Sequence, residues 1–383
     1  MKISNDIYYV GVNDYDITLF EGQYPVKNGM CYNSYVIMDE KIAIMDSVDR
    51  MGKDSWLNQI NDVLNGQQPT YLIVQHMEPD HSANIMELLK IYPETIVVGN
   101  VQTFNMMQQF FHTTITNKLV VKDGDELTLG KHTLKFLFAP MVHWPEVMMS
   151  YDTCDKVLFS ADGFGKFGIY DADEPWEDEA RRYYIGICGK YGMQVSNLLK
   201  KASNYEINAI APLHGPVLSE NLAHYIKLYL TWANYEVETP GTVIAYSSVY
   251  GNTKQAALYL AEQLRKVCEN DVITYDLNTA DISEVTADAF RYSNLVLASI
   301  TYNATVFPSM KQFIDHLTER NYQKRNIALI ENGSWAPLAN KVMKDMFANS
   351  KNINILGEVS FKSSLTSGDE FALAQLAANI VNG

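Results

Sequence analysis

Tyr71-Leu72-Ile73-Val74-Gln75-His76-Met77-Glu78-Pro79-Asp80-His81-Ser82 holds the most informative dozen residues of the chain. An apolar run with strand composition ends, and His76, Glu78, Asp80 and His81 crowd the loop that follows. Two imidazoles and two carboxylates at that density are costly to bury or pack without a cation. A solvated polar loop capped by Asp80 is the plainer alternative.

Working outward, three more candidate ligands stand at the ends of apolar runs: His143 after Pro140-Met141-Val142, Asp162 after Leu158 to Ala161, and His214 after Ala211-Pro212-Leu213. The order HxExDH, His, Asp, His resembles the metal signature of the metallo-β-lactamase fold. In that superfamily, loops at one edge of an αββα sandwich bring two metals together. Its hydrolases usually carry HxHxDH and bind zinc, whereas Glu78 stands where their second histidine would be, as in flavodiiron proteins. A carboxylate in place of an imidazole makes the site harder and more anionic, which suits iron. The resemblance implies that His76, Glu78 and His143 hold one iron and Asp80, His81 and His214 the other. Asp162, with an oxo or hydroxo group, would bridge the two. Some members of the family carry a further histidine before the segment that matches Tyr32-Asn33-Ser34-Tyr35; Gly22 to Gly29 contains none here. Tyr191 is a candidate phenol beside the metals.

A second constellation begins at Val243-Ile244-Ala245-Tyr246-Ser247-Ser248-Val249-Tyr250-Gly251-Asn252-Thr253-Lys254, a strand that enters a hydroxyl-rich turn and then a helix. Backbone N–H groups and the positive end of a helix attract phosphate there without a cationic side chain, and Ser247, Ser248 and Thr253 add hydroxyls. A merely capped helix is the alternative reading, but the strand, SxxxGNT, helix order resembles flavodoxin. That resemblance implies FMN, held by the residues from Ser247 to Thr253. Two later loops would complete its site: Thr301, Tyr302, Asn303, Ala304 and Thr305, and Asn332, Gly333, Ser334 and Trp335. Tyr302 and Trp335 are candidates to flank the isoalloxazine ring. Neither GxGxxG nor GxxxxGK[ST] opens this region, which argues against a dinucleotide or a nucleoside triphosphate.

Between these motifs the chain changes character. Short strand-like pieces (7–12, 33–38, 42–45, 71–74 and several from 119 to 139) alternate with helical spacing at 53–64 and 82–92. A polar, tyrosine-rich stretch from 174 to 201 reads as helical, as does 220–235. Linker composition around Glu236 to Gly241 marks a boundary, so residues 1–239 read as the lactamase-like domain and 240–383 as the flavodoxin-like one. Beyond it, strands at 242–247, 271–276, 294–300, 326–331 and 353–360 alternate with helices at 253–267, 308–319, 336–348 and 369–381, the pattern of an α/β doubly wound parallel sheet.

Composition narrows the functional classes. At 383 residues, with 47% hydrophobic and 20% charged residues, the chain has material for two cores. Its formal charge of −15 argues against nucleic acid and anionic membranes as partners. No signal-peptide h-region and no run of about 18 apolar residues is present, so a cytoplasmic protein is expected. Cys31, Cys154, Cys188 and Cys268 are scattered without a CxxC pair and read as reduced thiols.

The resemblance covers nearly the whole chain and both domains in the expected order. It implies an oxidoreductase that passes electrons through FMN to a diiron site, reducing O₂ to water, NO to N₂O, or both. It also implies an external donor, rubredoxin or less commonly an F420-type donor, and a head-to-tail homodimer or a dimer of dimers. A dinuclear metallo-hydrolase with an accessory flavodoxin domain, or a redox carrier using FMN alone, are the competing classes.

Overall fold

The apolar run Tyr71–Ile73 becomes a fully buried strand inside a six-stranded sheet. The computed structural model describes every residue from Met1 to Gly383, in two units, Met1–Leu230 and Thr231–Gly383. In the first unit that sheet runs in the order Ile7–Tyr9, Tyr35–Ile37, Ala43–Met45, Tyr71–Ile73, Ile96–Gly99, Lys118–Val120, antiparallel across the first two pairs and parallel thereafter. A second sheet of Glu126–Thr128, Thr133–Phe138, Met148–Asp152, Val157–Phe159 and Ala209–Ala211 is antiparallel except at its last pair.

Alternation along the strands assigns the faces. Ala43, Met45, Tyr71, Ile73 and Val98 pack with Phe136, Met148, Phe159 and Ala211 into one core between the sheets. Ile44, Leu72 and Val97 face the other way and join Trp56, Ile60, Leu88, Phe104 and Met107 from helices Lys53–Leu64, Ile85–Ile91 and Val101–Phe111. On the second sheet Leu137, Met149, Leu158 and Ile210 point away from the central core and are buried too. Two sheets, each covered on its outer face, make the αββα sandwich that the metal signature implies.

The second unit is a sheet in the order Asp271–Asp276, Thr239–Tyr246, Tyr292–Tyr302, Arg325–Asn332, Ile353–Phe361, parallel along that order, with the short strand Thr305–Val306 antiparallel to Tyr292–Tyr302. Helices Asn252–Val267 and Ser367–Asn382 bury Ala257, Leu260, Leu373 and Leu376 against Ile244, Val296 and Ile330 on one face. Strand order reverses between Thr239–Tyr246 and Tyr292–Tyr302, so the loops after these two strands flank the topological switch point where such sheets bind ligands.

Several elements depart from the sequence expectation. The 174–201 stretch is two helices, Trp176–Ile187 and Gly192–Ala202, around a short turn at Gly189–Tyr191, because glycines at 186, 189 and 192 weaken a continuous helix. The helix expected at 336–348 starts only at Ala339, since Pro337 keeps its predecessor out of the helical region. The run 7–12 splits into Ile7–Tyr9 and Val12–Asp14, which pair with different strands. Helices Val101–Phe111 and Ile282–Arg291 were not among the expected elements, although Asn100 and Asp281 cap them.

Candidate metal centre and flavin cleft

The residues after strand Tyr71–Ile73 fold into one tight helical turn, Pro79–Ser82, with Pro79 at its first position, where its missing N–H costs nothing. That turn swings Asp80 and His81 inward beside His76. His143 comes from the connection between strands Thr133–Phe138 and Met148–Asp152, Asp162 from the turn after Val157–Phe159, and His214 from the turn after Ala209–Ala211. All seven expected ligands meet. Their donor atoms form two groups, each spanning no more than 4.8 Å: His76, Glu78, His143 and Asp162, and Asp80, His81 and His214.

Distances define a paired arrangement. Asp162 Oδ2 is 3.2 Å from His76 Nε2 and 3.0 Å from His143 Nε2, while Asp162 Oδ1 is 3.5 Å from His81 Nε2 and 3.8 Å from His214 Nε2. Glu78 Oε2 closes the first group at 3.2 Å from His76 and 3.0 Å from His143. Asp80 Oδ2 closes the second at 3.2 Å from His81 and 3.3 Å from His214. One carboxylate therefore faces both groups with a different oxygen. Within the second group the two Nε2 atoms face each other at 3.0 Å, although a neutral imidazole nitrogen without a proton is only an acceptor.

The chemistry of these donors fits a pair of cations. Both oxygens of Asp80 and of Asp162 are buried without a hydrogen bond of ordinary geometry, a condition that calls for an ion. Burial opposes ionisation here, and the opposite charges override it: His76, His143 and His81 hold Asp162 well below the usual carboxylate range. By the same balance Asp162, Glu146 and Glu78 raise His76 well above an ordinary imidazole, and Asp162 and Glu78 raise His143 to about 9.

Around the seven lies a shell that the sequence did not mark. Glu146, fully buried, accepts from His76 Nδ1 at 2.8 Å and from Met77 N at 2.9 Å, which turns His76 Nε2 toward the group. His214 Nδ1 donates to the Cys31 carbonyl at 2.7 Å to the same effect. Asp46 accepts from the backbone and side chain of Gln75, and burial pushes its carboxyl up to about 6 against those donors. Glu21, partly exposed, lies close enough to Glu78 that burial and, after it, that carboxylate push it up to about 7. Trp144 packs edge-on against His76, and Phe20, Tyr32 and Tyr183 surround His214. Tyr191 has no ring contact with any of the histidines; the tyrosines that pack there are Tyr32 and Tyr183. Asp46 stands 30 residues before His76, and nothing in the sequence tied it to HxExDH or separated Glu146 from an ordinary surface glutamate after Trp144-Pro145.

In the second unit a cleft of about 700 Å³ opens at the switch point, lined by Ser248, Val249, Tyr250, Asn252, Thr253, Thr301, Tyr302, Asn303, Ala304, Asn332, Gly333, Ser334 and Trp335. No Lys or Arg lines it, so an anionic ligand would rest on backbone and hydroxyls. Gly251, at φ 95°, lets the chain turn into helix Asn252–Val267, and the Thr253 hydroxyl is buried without a partner at that helix N-terminus. Two aromatic side chains of the cleft project almost free, Tyr250 at 94% and Trp335 at 89% exposure, apolar surface that a flat ligand could cover.

Some expected cofactor residues have other work. Ser247 is buried, with its hydroxyl on Ser309; Ser309 donates to Asn278, whose amide donates to the Ser248 carbonyl, so this chain braces the turn rather than lining the cleft. Thr305 pairs with Tyr302 in a tight hairpin and faces a neighbouring groove. Gly251 shapes the turn without being among the lining residues. Thr301 accepts from the N–H groups of Leu338 and Ala339, tying two walls together. Ile300, Ala336, Pro337, Leu338 and Ser363 complete the lining.

Fold and site define a class: a β-lactamase-type αββα unit followed by a flavodoxin-type unit. Residues 30–215 match a family model described as ODP family beta lactamase, and residues 243–356 match a flavodoxin domain. A protein of Methanocaldococcus jannaschii is 30% identical over 356 residues, 91% of this chain and 89% of that one. The anaerobic nitric oxide reductase flavorubredoxin of Vibrio vulnificus is 28% identical over 349 residues, 88% of this chain and 70% of that one. Among solved structures, rubredoxin oxygen:oxidoreductase from Desulfovibrio gigas superposes with a TM-score of 0.92 at 24% identity, covering 100% of this chain and 98% of that one. The flavodiiron protein from Giardia intestinalis gives 0.89 at 24% identity, covering 100% and 96%. The chain belongs to the flavodiiron protein family and is an oxidoreductase.

Proposed function

We propose that this protein reduces O₂ to water, two NO to N₂O and water, or both, with electrons that enter through FMN and reach a diiron site. The reading rests above all on one observation: Asp162 presents one oxygen to each of two donor groups, with Glu78 supplying an extra carboxylate to the first. His76, Glu78 and His143 would hold one iron, Asp80, His81 and His214 the other, and Asp162 both. Bound there, two irons supply ferrous–ferric chemistry, and FMN at the cleft of residues 240–383 accepts electrons in pairs and releases them singly.

The chain's own groups prepare the site. Glu146 accepts from His76 Nδ1 and the Cys31 carbonyl from His214 Nδ1, so both Nε2 atoms are turned toward their donor groups without rearrangement. Asp46 holds the Gln75–His76 backbone from behind. Trp144, Phe20, Tyr32 and Tyr183 wall the histidines with apolar surface, which suits a small uncharged diatomic and limits water.

We further place the protein in the cytoplasm as a head-to-tail homodimer, or a dimer of dimers, reduced by rubredoxin or a similar donor. No helix is long and apolar enough to cross a membrane. Anaerobic assays with reduced rubredoxin, following O₂ and NO consumption separately, test the reading. Turnover of at least one gas that is lost in Asp162→Asn is the expected result; β-lactam or ester hydrolysis with neither gas consumed would overturn it.

A further inference from the structure

A second cluster of metal-type donors lies in the first unit, apart from the seven residues described. A ring nitrogen of His132, the thiol of Cys154 and a carboxylate oxygen of Asp155 all fall within 4.8 Å of one another. Topology separates the two places. Strands Thr133–Phe138 and Met148–Asp152 form an antiparallel pair, with Leu134 opposite Asp152. His143 lies in the connection at one end of this pair, whereas His132, Cys154 and Asp155 flank the other end. Five residues of strand put roughly 16 Å between those ends.

Two features mark the cluster as more than neighbouring polar residues. Asp155 Oδ2 is buried without a hydrogen-bond partner, and an orphaned carboxylate oxygen there needs a cation or a donor. Asp152, fully buried, organises the donors: its Oδ1 lies 3.0 Å from His132 Nδ1, and its carboxylate accepts from the backbone N–H of Cys154 at 3.4 Å and of Asp155 at 2.8 Å. One buried carboxylate thus orients the imidazole and shapes the turn carrying the other two donors, the outer-shell arrangement common behind metal-binding histidines. The remaining charged neighbours are Asp6, whose Oδ2 is 3.4 Å from His132 Nε2, Asp39, which accepts from the His132 N–H at 2.6 Å, and Lys131, which pairs with Asp6 at 2.6 Å on the solvent side. Four carboxylates, of Asp6, Asp39, Asp152 and Asp155, against one ammonium leave the surroundings favourable to a cation.

The geometry points to a divalent transition-metal site at His132, Cys154 and Asp155. One nitrogen, one sulfur and one oxygen suit a tetrahedral borderline cation such as Zn²⁺, with water as the fourth ligand, and closing the donors by about 1 Å would bring them to ordinary ligand separations. Binding releases the thiol proton to solvent and involves no redox change. The seven-residue cluster contains no thiolate, so sulfur ligation is a signature of this site alone.

Titration of the full-length protein with Co²⁺ tests it. The expected result is a sulfur-to-cobalt charge-transfer band in the near ultraviolet that is absent in Cys154→Ser. Asp152→Asn should keep the band but need on the order of 10–100-fold more Co²⁺ to develop it. Cys154 is partly exposed, so its serine variant should keep the wild-type circular dichroism and show that loss of the band is local. Zn²⁺ should also slow labelling of Cys154 by a thiol reagent. No band in the wild type, an equal band in Cys154→Ser, or labelling indifferent to Zn²⁺ would overturn the assignment.

Discussion

Glu146→Gln isolates the part played by the buried carboxylate behind His76. Glu146 is fully buried, and its Oε1 takes two donors, His76 Nδ1 at 2.8 Å and Met77 N at 2.9 Å. Glutamine keeps the shape and one acceptor oxygen but removes the charge. A hydrogen bond to a charged group contributes about 1.5–3 kcal/mol against about 1 kcal/mol for a neutral one. The difference falls on the imidazole, whose Nε2 becomes a poorer donor, and outer-shell changes of this kind weaken metal binding roughly 10–100-fold, or about 1.4–2.7 kcal/mol. Anaerobic competition for Fe²⁺ against a chromophoric chelator reads this directly, with far-ultraviolet circular dichroism confirming an unchanged fold. Glu146→Ala should be worse in a different way: two buried donors lose their acceptor, and the metal-free protein should lose about 2–5 kcal/mol in urea unfolding. Iron affinity equal to wild type in Glu146→Gln would refute the reasoning, because the carboxylate would then be only a structural acceptor.

Trp335→Ala should weaken FMN binding about 10-fold in a fluorescence titration of deflavinated protein, since an 89% exposed indole can gain little except against a ligand. Gly215→Ala should cost at least about 1–2 kcal/mol and lower metal content, because φ there is 80° and a Cβ would meet the Lys166 side chain at 2.7 Å beside His214. His132 is raised above the usual imidazole value, chiefly by its bond to Asp152. A raised folded pKa means the protonated pair stabilises the metal-free protein fully below about pH 6.5 and that stability fades as pH rises through the folded value. Melting temperature measured across that window should fall with pH in the wild type, and this component should vanish in Asp152→Asn.

The seven donors were legible through the resemblance of HxExDH, His, Asp, His to a known metal signature; His143, Asp162 and His214 also follow apolar runs, and strand ends on one edge of a sandwich are where side chains from distant segments can meet. His143 and His214 illustrate this: 71 residues separate them in sequence, yet both reach Asp162. Glu146 and Asp46 were not legible, since acting through a ligand leaves no spacing rule in the sequence. In the second unit Ser248, Val249, Tyr250, Asn252 and Thr253 of the hydroxyl-rich turn line the cleft, whereas Ser247 and Thr305 do not, because strand pleating decides which side chains face the cleft and the motif does not carry that phase. The stretch 174–201 misled for a similar reason: its tyrosines and charges suit one long helix, while Gly189 and Gly192 supply the break that the tertiary fold uses. His132, Cys154 and Asp155 gave no pattern at all, because the hairpin register brings them together.

On the proposed function, seven side chains of the first unit hold two irons while the second unit holds FMN. Iron, zinc and flavin per chain, measured by mass spectrometry and absorbance on protein purified without oxygen or chelator, test it most directly. Two irons and one FMN per chain, with the irons lost in Asp162→Asn, are the predicted result. Two zincs that iron cannot displace, or a seven-residue site without metal beside a filled flavin cleft, would contradict it.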